Sequence, residues 1–138
     1  MPCGFGIHPY FTLEPGSFVQ SQASRCLAPD KRGVPSSIAP WVPGRIALAE
    51  VPACDHFLLD NEGSITVGTD RWHLAIRASQ VAGWQLYRPR SGSFFCVEPV
   101  SHLPNKLDAL IGAGAQSDDR SMRWDVEIKL LSNDVLKY

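Results

Sequence analysis

The chain has 138 residues, 44% hydrophobic and 20% charged, with 13 basic side chains against 14 acidic ones. This length suits one ordinary domain over residues 1 to 138, and the balance is that of a globular chain. No basic field is present to hold nucleic-acid phosphates or an anionic membrane, and no apolar run approaches the ~20 residues of a bilayer span.

The first ten residues, "MPCGFGIHPY", lack the basic and apolar regions of a signal peptide, so the cytoplasm is the expected location. Four cysteines (Cys3, Cys26, Cys54, Cys96) are widely spaced, with no CxxC pair. Neither a structural zinc site nor a disulfide framework is expected from that spacing.

Prolines and glycines, 11 of each, separate short apolar runs in the manner of an all-β chain. The predicted strands, in chain order, are "FTLEP", "GRIALAEV", "SITVGT", "WHLAIRAS", "GWQLYRP", "SFFCVEPV" and "RWDVEIKLL". Alternation in "WHLAIRA" puts Trp72, Leu74, Ile76 and Ala78 on one face and His73 on the wet one. In "RWDVEIKL", Trp124, Val126, Ile128 and Leu130 point inward. Covered and wet faces of this kind belong to antiparallel sheets packed on one side. Residues 20 to 43 and 101 to 121 read as long loops, the second with one helical turn at Lys106–Leu110.

Two stretches carry candidate chemistry. In "GFGIHPYF", His8 precedes Pro9 at a rigid strand end, and Tyr10 and Phe11 supply flat faces suited to the C–H side of a sugar ring. In "SFFCVEPVSH", Glu98 ends an apolar run, and Pro99 biases it toward extended geometry and is expected to end the ladder there. An ionised carboxylate at such a rim can accept a proton, although a solvated strand-end acid and a hydrogen-bonded structural histidine are the plain readings of each residue alone.

Together, "G-x-G-x-H-P-Y-F" and "F-F-C-V-E-P-V-S-H", with "LYRP" shortly before the latter, resemble the bacterial branch of the aldose 1-epimerase, or galactose mutarotase-like, family. The resemblance runs over roughly residues 1 to 130 and implies an antiparallel β-sandwich, part of a larger sandwich, with little helix. It implies interconversion of the α and β anomers of a free aldohexose, with Glu98 as base and His8 as acid and with no cofactor or metal. Asp55, in "CDHFLLDNEGS", falls near the family's sugar-binding acid; Asp60 and Asn61 compete for that place, and "DNEGS" also reads as a hairpin turn. His102, close to Glu98, is a candidate to order its loop or touch the ligand.

Family members run about twice this length by the same resemblance, and Met1, seven residues before His8, falls inside what looks like the family's mid-chain motif. The chain is therefore expected to match the C-terminal half, without a second histidine and an arginine that bind the sugar. Exposed strand edges and an uncovered apolar face would follow, and either a homodimer that covers them or a poorly behaved fragment is expected. Two other readings stand beside this one. The chain could be a non-catalytic carbohydrate-binding remnant of the family. It could also be a cupin-like metal protein using His8, Glu98 and another histidine, but no His-x-His pair is present.

Overall fold

The computed structural model describes residues 4–51, 53–61, 63–104 and 124–131. Within them, eleven strands numbered in chain order build two antiparallel sheets, and there is no helix. The six-stranded sheet runs β1 (Tyr10–Thr12), β10 (Phe94–Val100), β9 (Gly83–Arg88), β6 (Cys54–Leu59), β3 (Arg25–Pro29) and β4 (Pro35–Pro40). The five-stranded sheet runs β11 (Val126–Leu131), β8 (His73–Ala78), β7 (Ser64–Gly68), β2 (Phe18–Ser21) and β5 (Gly44–Ala47). The all-β sandwich expected from the sequence is therefore the fold. No helix of the described residues is long and apolar enough to cross a membrane.

The core lies between the sheets and follows the alternation of each strand. Cys26, Cys54, Leu58, Trp84, Leu86, Phe95 and Val97 enter it from the six-stranded sheet, and Val19, Ile65, Val67 and Ile76 from the other. Full burial of each large side chain is worth roughly 1.5–3 kcal/mol, so the pairing registers are strongly determined.

All seven predicted strands are present, and four more were not anticipated. The stretch read as a loop from residue 20 to 43 contains the end of β2 and the whole β3–β4 hairpin. Its proline and serine content disguised it, because β4 is an edge strand that tolerates prolines at its two ends. Strand β6 was hidden because Asp55 and His56 interrupt its apolar pattern. The predicted turn at Lys106–Leu110 lies outside the described residues.

Three orientations differ from expectation. His73 is buried, not wet, because Phe18 on the same outer face meets its ring edge-on at 5.0 Å and Arg45 caps Phe18 at 3.7 Å. Ile128 and Leu130 are exposed, Leu130 by 66%, because β11 is the last strand of its sheet. Finally, β10 does not end at Glu98 but runs through Pro99 to Val100. The Val100 carbonyl accepts from Ala82, on the β9 side, while the Ser101 N–H donates to Phe5, on the other side. By alternation Pro99 faces the Phe5 side, where β1 pairing stops at Cys96 and resumes only as a single bridge between Gly6 and Val100, so its missing N–H falls in the gap of that ladder.

Gly83, paired with Val100, is required by the crossing of β6 and β9. An added Cβ would overlap the Phe57 ring and lie 2.6 Å from the Leu58 carbonyl oxygen. Gly83→Ala is expected to lower stability by about 1–3 kcal/mol, read as a lower denaturant midpoint at unchanged slope; an unaltered midpoint would show that β6 and β9 are less closely locked than described.

Candidate active site

The outward face of the six-stranded sheet gathers the polar residues that alternation keeps out of the core. On β10, Phe95 and Val97 point inward, so Cys96 and Glu98 point outward. The β9 partner of Glu98 is Gln85 and that of Cys96 is Tyr87; Tyr87 in turn pairs with Asp55 on β6. On the other side of β10, Tyr10 of β1 stands opposite Cys96. These strands are read in the same period, so one face carries Tyr10, Cys96, Glu98, Gln85, Tyr87 and Asp55.

His8 precedes β1 and reaches this face. Its Nε2 lies 3.1 Å from Glu98 Oε1, with the His8 side chain 50% exposed and that of Glu98 only 14%. The His8 ring stacks on Tyr10 at 4.7 Å and 20°. Tyr10 itself is 65% exposed and touches Phe94, which also meets Tyr87. The result is an aromatic shelf of Tyr10, Phe94 and Tyr87 beside an imidazole–carboxylate pair.

Sequence reasoning paired Tyr10 with Phe11, but the structure separates them. Phe11 is on the inward side of β1, stacks on Phe95 at 5.3 Å and packs against the core. Adjacent strand residues must face opposite ways, so the flat surface beside Tyr10 comes from Phe94 and Tyr87 instead. That substitution needed the strand order, because neither residue adjoins "HPYF" in sequence.

Of Asp55, Asp60 and Asn61, Asp55 joins the Glu98 face. Its Oδ1 accepts a hydrogen bond from Gln85 Nε2, which stands on the strand between the two carboxylates. Asp60 sits in the β6–β7 turn at φ 57° and takes the Arg25 guanidinium with both oxygens, at 2.6 and 2.9 Å. Asn61, in the same turn, accepts from the Gln22 N–H and donates to the Ser64 carbonyl. Both are committed to holding the hairpin. His102 packs against the backbone of Gly4, and the Ser101 hydroxyl and N–H bond Phe5. Its loop therefore clasps the segment that leads into His8.

Burial pushes the Glu98 carboxyl above the ordinary glutamate range; the His8 charge pulls it back and Asp55 pushes it further up. Burial also raises Asp55, against the pull of His56. Cys96 is fully buried, and desolvation, with a contribution from Glu98, pushes its thiol up to about 11. It is therefore a neutral thiol near neutrality and a poor nucleophile. What the site offers is a proton donor and a proton acceptor in contact, on an open face. Two recesses lie elsewhere, one between Asn61 and Gln80–Gly83 and another beside Asp125–Glu127.

This combination defines an antiparallel β-sandwich with an acid–base pair on the outer face of one sheet. No family model matches the chain, and no curated protein matches it at significance. Solved structures do. A candidate aldose 1-epimerase from Escherichia coli K12 superposes with a TM-score of 0.66 at 20% identity, over 78% of this chain and 42% of that one. The Slr1438 protein of Synechocystis sp. PCC 6803 gives 0.63 at 20% identity, over 78% and 37%. The likeness is one of fold, and the chain spans about two fifths of the length of each structure.

The raised Glu98 carboxyl has a defined signature. The folded state holds this proton more tightly than the unfolded chain, so the associated stability is complete below the unfolded pKa and is lost as pH rises through the folded one. A carboxyl-carbon NMR titration should place Glu98 above an ordinary glutamate. Glu98→Gln, which cannot ionise, should melt no lower than wild type above that window. A midpoint at or below the ordinary range would contradict the burial described.

Proposed function

We propose that this protein is an aldose 1-epimerase-like isomerase, which interconverts the α and β anomers of a free aldohexose by general acid–base ring opening. The observation that carries the reading is the 3.1 Å His8–Glu98 pair beside an exposed aromatic shelf. In a cyclic hemiacetal the anomeric oxygen and the ring oxygen are bonded to the same carbon. The base for one and the acid for the other must therefore be neighbours, as these two groups are.

The steps balance without a cofactor. Glu98 takes the proton of the anomeric hydroxyl while imidazolium His8 gives one to the ring oxygen, and the C1–ring oxygen bond breaks to leave an open aldehyde. Rotation about C1–C2 presents the other carbonyl face. The ring hydroxyl returns its proton to His8 as it attacks, and Glu98 returns the other to the new anomeric oxygen. Asp55, oriented by Gln85, would accept hydrogen bonds from sugar hydroxyls, and Tyr10 would support the ring's C–H face. The raised carboxyl pKa suits a base that must also surrender its proton.

The reading includes one domain over residues 1–138 equivalent to the C-terminal half of the family, working in the cytoplasm. It also includes a homodimer. Sheet edges β1, β4, β5 and β11 have no partner strand among the described residues, and Ile38, Ile128 and Leu130 are exposed on β4 and β11. Light scattering at a mass of two chains is the expected result; a concentration-independent single-chain mass would remove the dimer from the proposal.

Coverage of about two fifths of the matched structures favours a second reading, a sugar-binding module without turnover. Orientation by groups outside the pair contributes several kcal/mol to such reactions, so an intact pair can be silent. Polarimetry of freshly dissolved α-D-galactose and α-D-glucose separates the two. The isomerase reading expects acceleration by wild type and a loss of about 10²–10⁴-fold in folded Glu98→Gln. Calorimetric sugar binding by a folded but silent wild type would establish the module instead.

A further inference from the structure

Cys96 has no part in the acid–base chemistry, yet its sulfur belongs to the site. The imidazole nitrogen of His8, the Cys96 Sγ and a Glu98 carboxylate oxygen all lie within 4.8 Å of one another. Two of the donors are two residues apart on one face of β10, and the third is held over them by its stack on Tyr10 and by the β1–β10 pairing. The geometry points to an inhibitory site for a soft divalent cation of the Zn²⁺ class, bound by His8 Nε2, Cys96 Sγ and Glu98 and occupying the place of the sugar.

Donor chemistry and reach both favour this. Thiolate, imidazole and carboxylate are the set that Zn²⁺ selects, with bonds of roughly 2.0–2.3 Å, which put tetrahedral donors roughly 3.3–3.7 Å apart. His8 and Glu98 already stand 3.1 Å apart, and small side-chain rotations bring the sulfur in. On binding, the Cys96 thiol gives its proton to solvent, and so does His8 where it is protonated. One thiolate and one carboxylate then neutralise the dication, so a charge-balanced centre replaces a largely covered carboxylate. Among the described residues, no lysine or arginine forms an ion pair with Glu98 or Asp55, so no cation competes for the place. Three protein donors leave a fourth position on the open side for water. Alkaline-earth ions, which prefer an all-oxygen shell, should not be held.

The inhibition rests on the acid–base reading, but metal binding does not, and the test keeps them apart. The purified full chain is titrated with Co²⁺ and then with Zn²⁺, under reducing conditions and without chelator, and thiolate-to-cobalt charge-transfer absorption is followed. The expected result is one equivalent of Co²⁺ with that band, displaced by Zn²⁺ and untouched by Mg²⁺. Cys96→Ser should abolish the band and the sensitivity to Zn²⁺; wild type should be inhibited by Zn²⁺ competitively with sugar. If Cys96→Ser does not fold, His8→Gln serves, with Co²⁺ affinity expected to fall at least about tenfold. No band in wild type, or a band unchanged in a folded variant, overturns the site whether or not the protein is an epimerase. A band in a catalytically silent wild type leaves the site standing and removes the isomerase.

Discussion

The direction in which Glu98 points is decided by the burial of its neighbours on β10. Phe95 and Val97 are fully buried between the sheets, and strand period then turns Cys96 and Glu98 to the other side. A slip of one residue would expose both apolar side chains, at roughly 1.5–3 kcal/mol each, and drive a carboxylate into the core. The same register sets Gln85 beside Glu98, Tyr87 and Tyr10 beside Cys96, and Asp55 one strand further on. The site is thus a by-product of core packing: nearly every outward residue is placed by an inward one.

Its electrostatics follow from this placement. Glu98 is largely covered, which disfavours its charge, and His8, half exposed, restores part of it. Asp55 stands near enough to oppose that charge, and Gln85 ties Asp55 down by donating to it. A group balanced between burial and a half-exposed partner can take and release a proton at small cost, which a fully solvated acid or a tightly bonded ion pair does less readily. By contrast Asp60, fixed by Arg25 in the β6–β7 turn, has its carboxyl held below the usual range and serves the hairpin.

Much of the architecture was readable before any coordinates. Alternation in β8 pointed to a strand with one covered face, because a sheet packed on one side imposes that period on the sequence. The missed strands are those where the rule weakens. β4 is a proline-ended edge, and β6 carries Asp55 and His56 on opposite faces, so neither reads as alternating. Where alternation was legible it still said only which residues share a face, not what covers that face. His73 is the example: its outer face proved dry because Phe18, from a distant strand, lies against it.

By itself the sequence determined the all-β class, most of the strands, and the two short stretches that hold His8 and Glu98, because these depend on local period and residue chemistry. The tertiary structure alone decided that Tyr10 rather than Phe11 accompanies His8, that Asp55 rather than Asp60 or Asn61 faces Glu98, and that Gln85, Tyr87 and Cys96 join them. The reason lies in the backbone. Every strand presents the same row of N–H and C=O groups, so local sequence does not name a partner or a register. Those are chosen by the packing of the whole core.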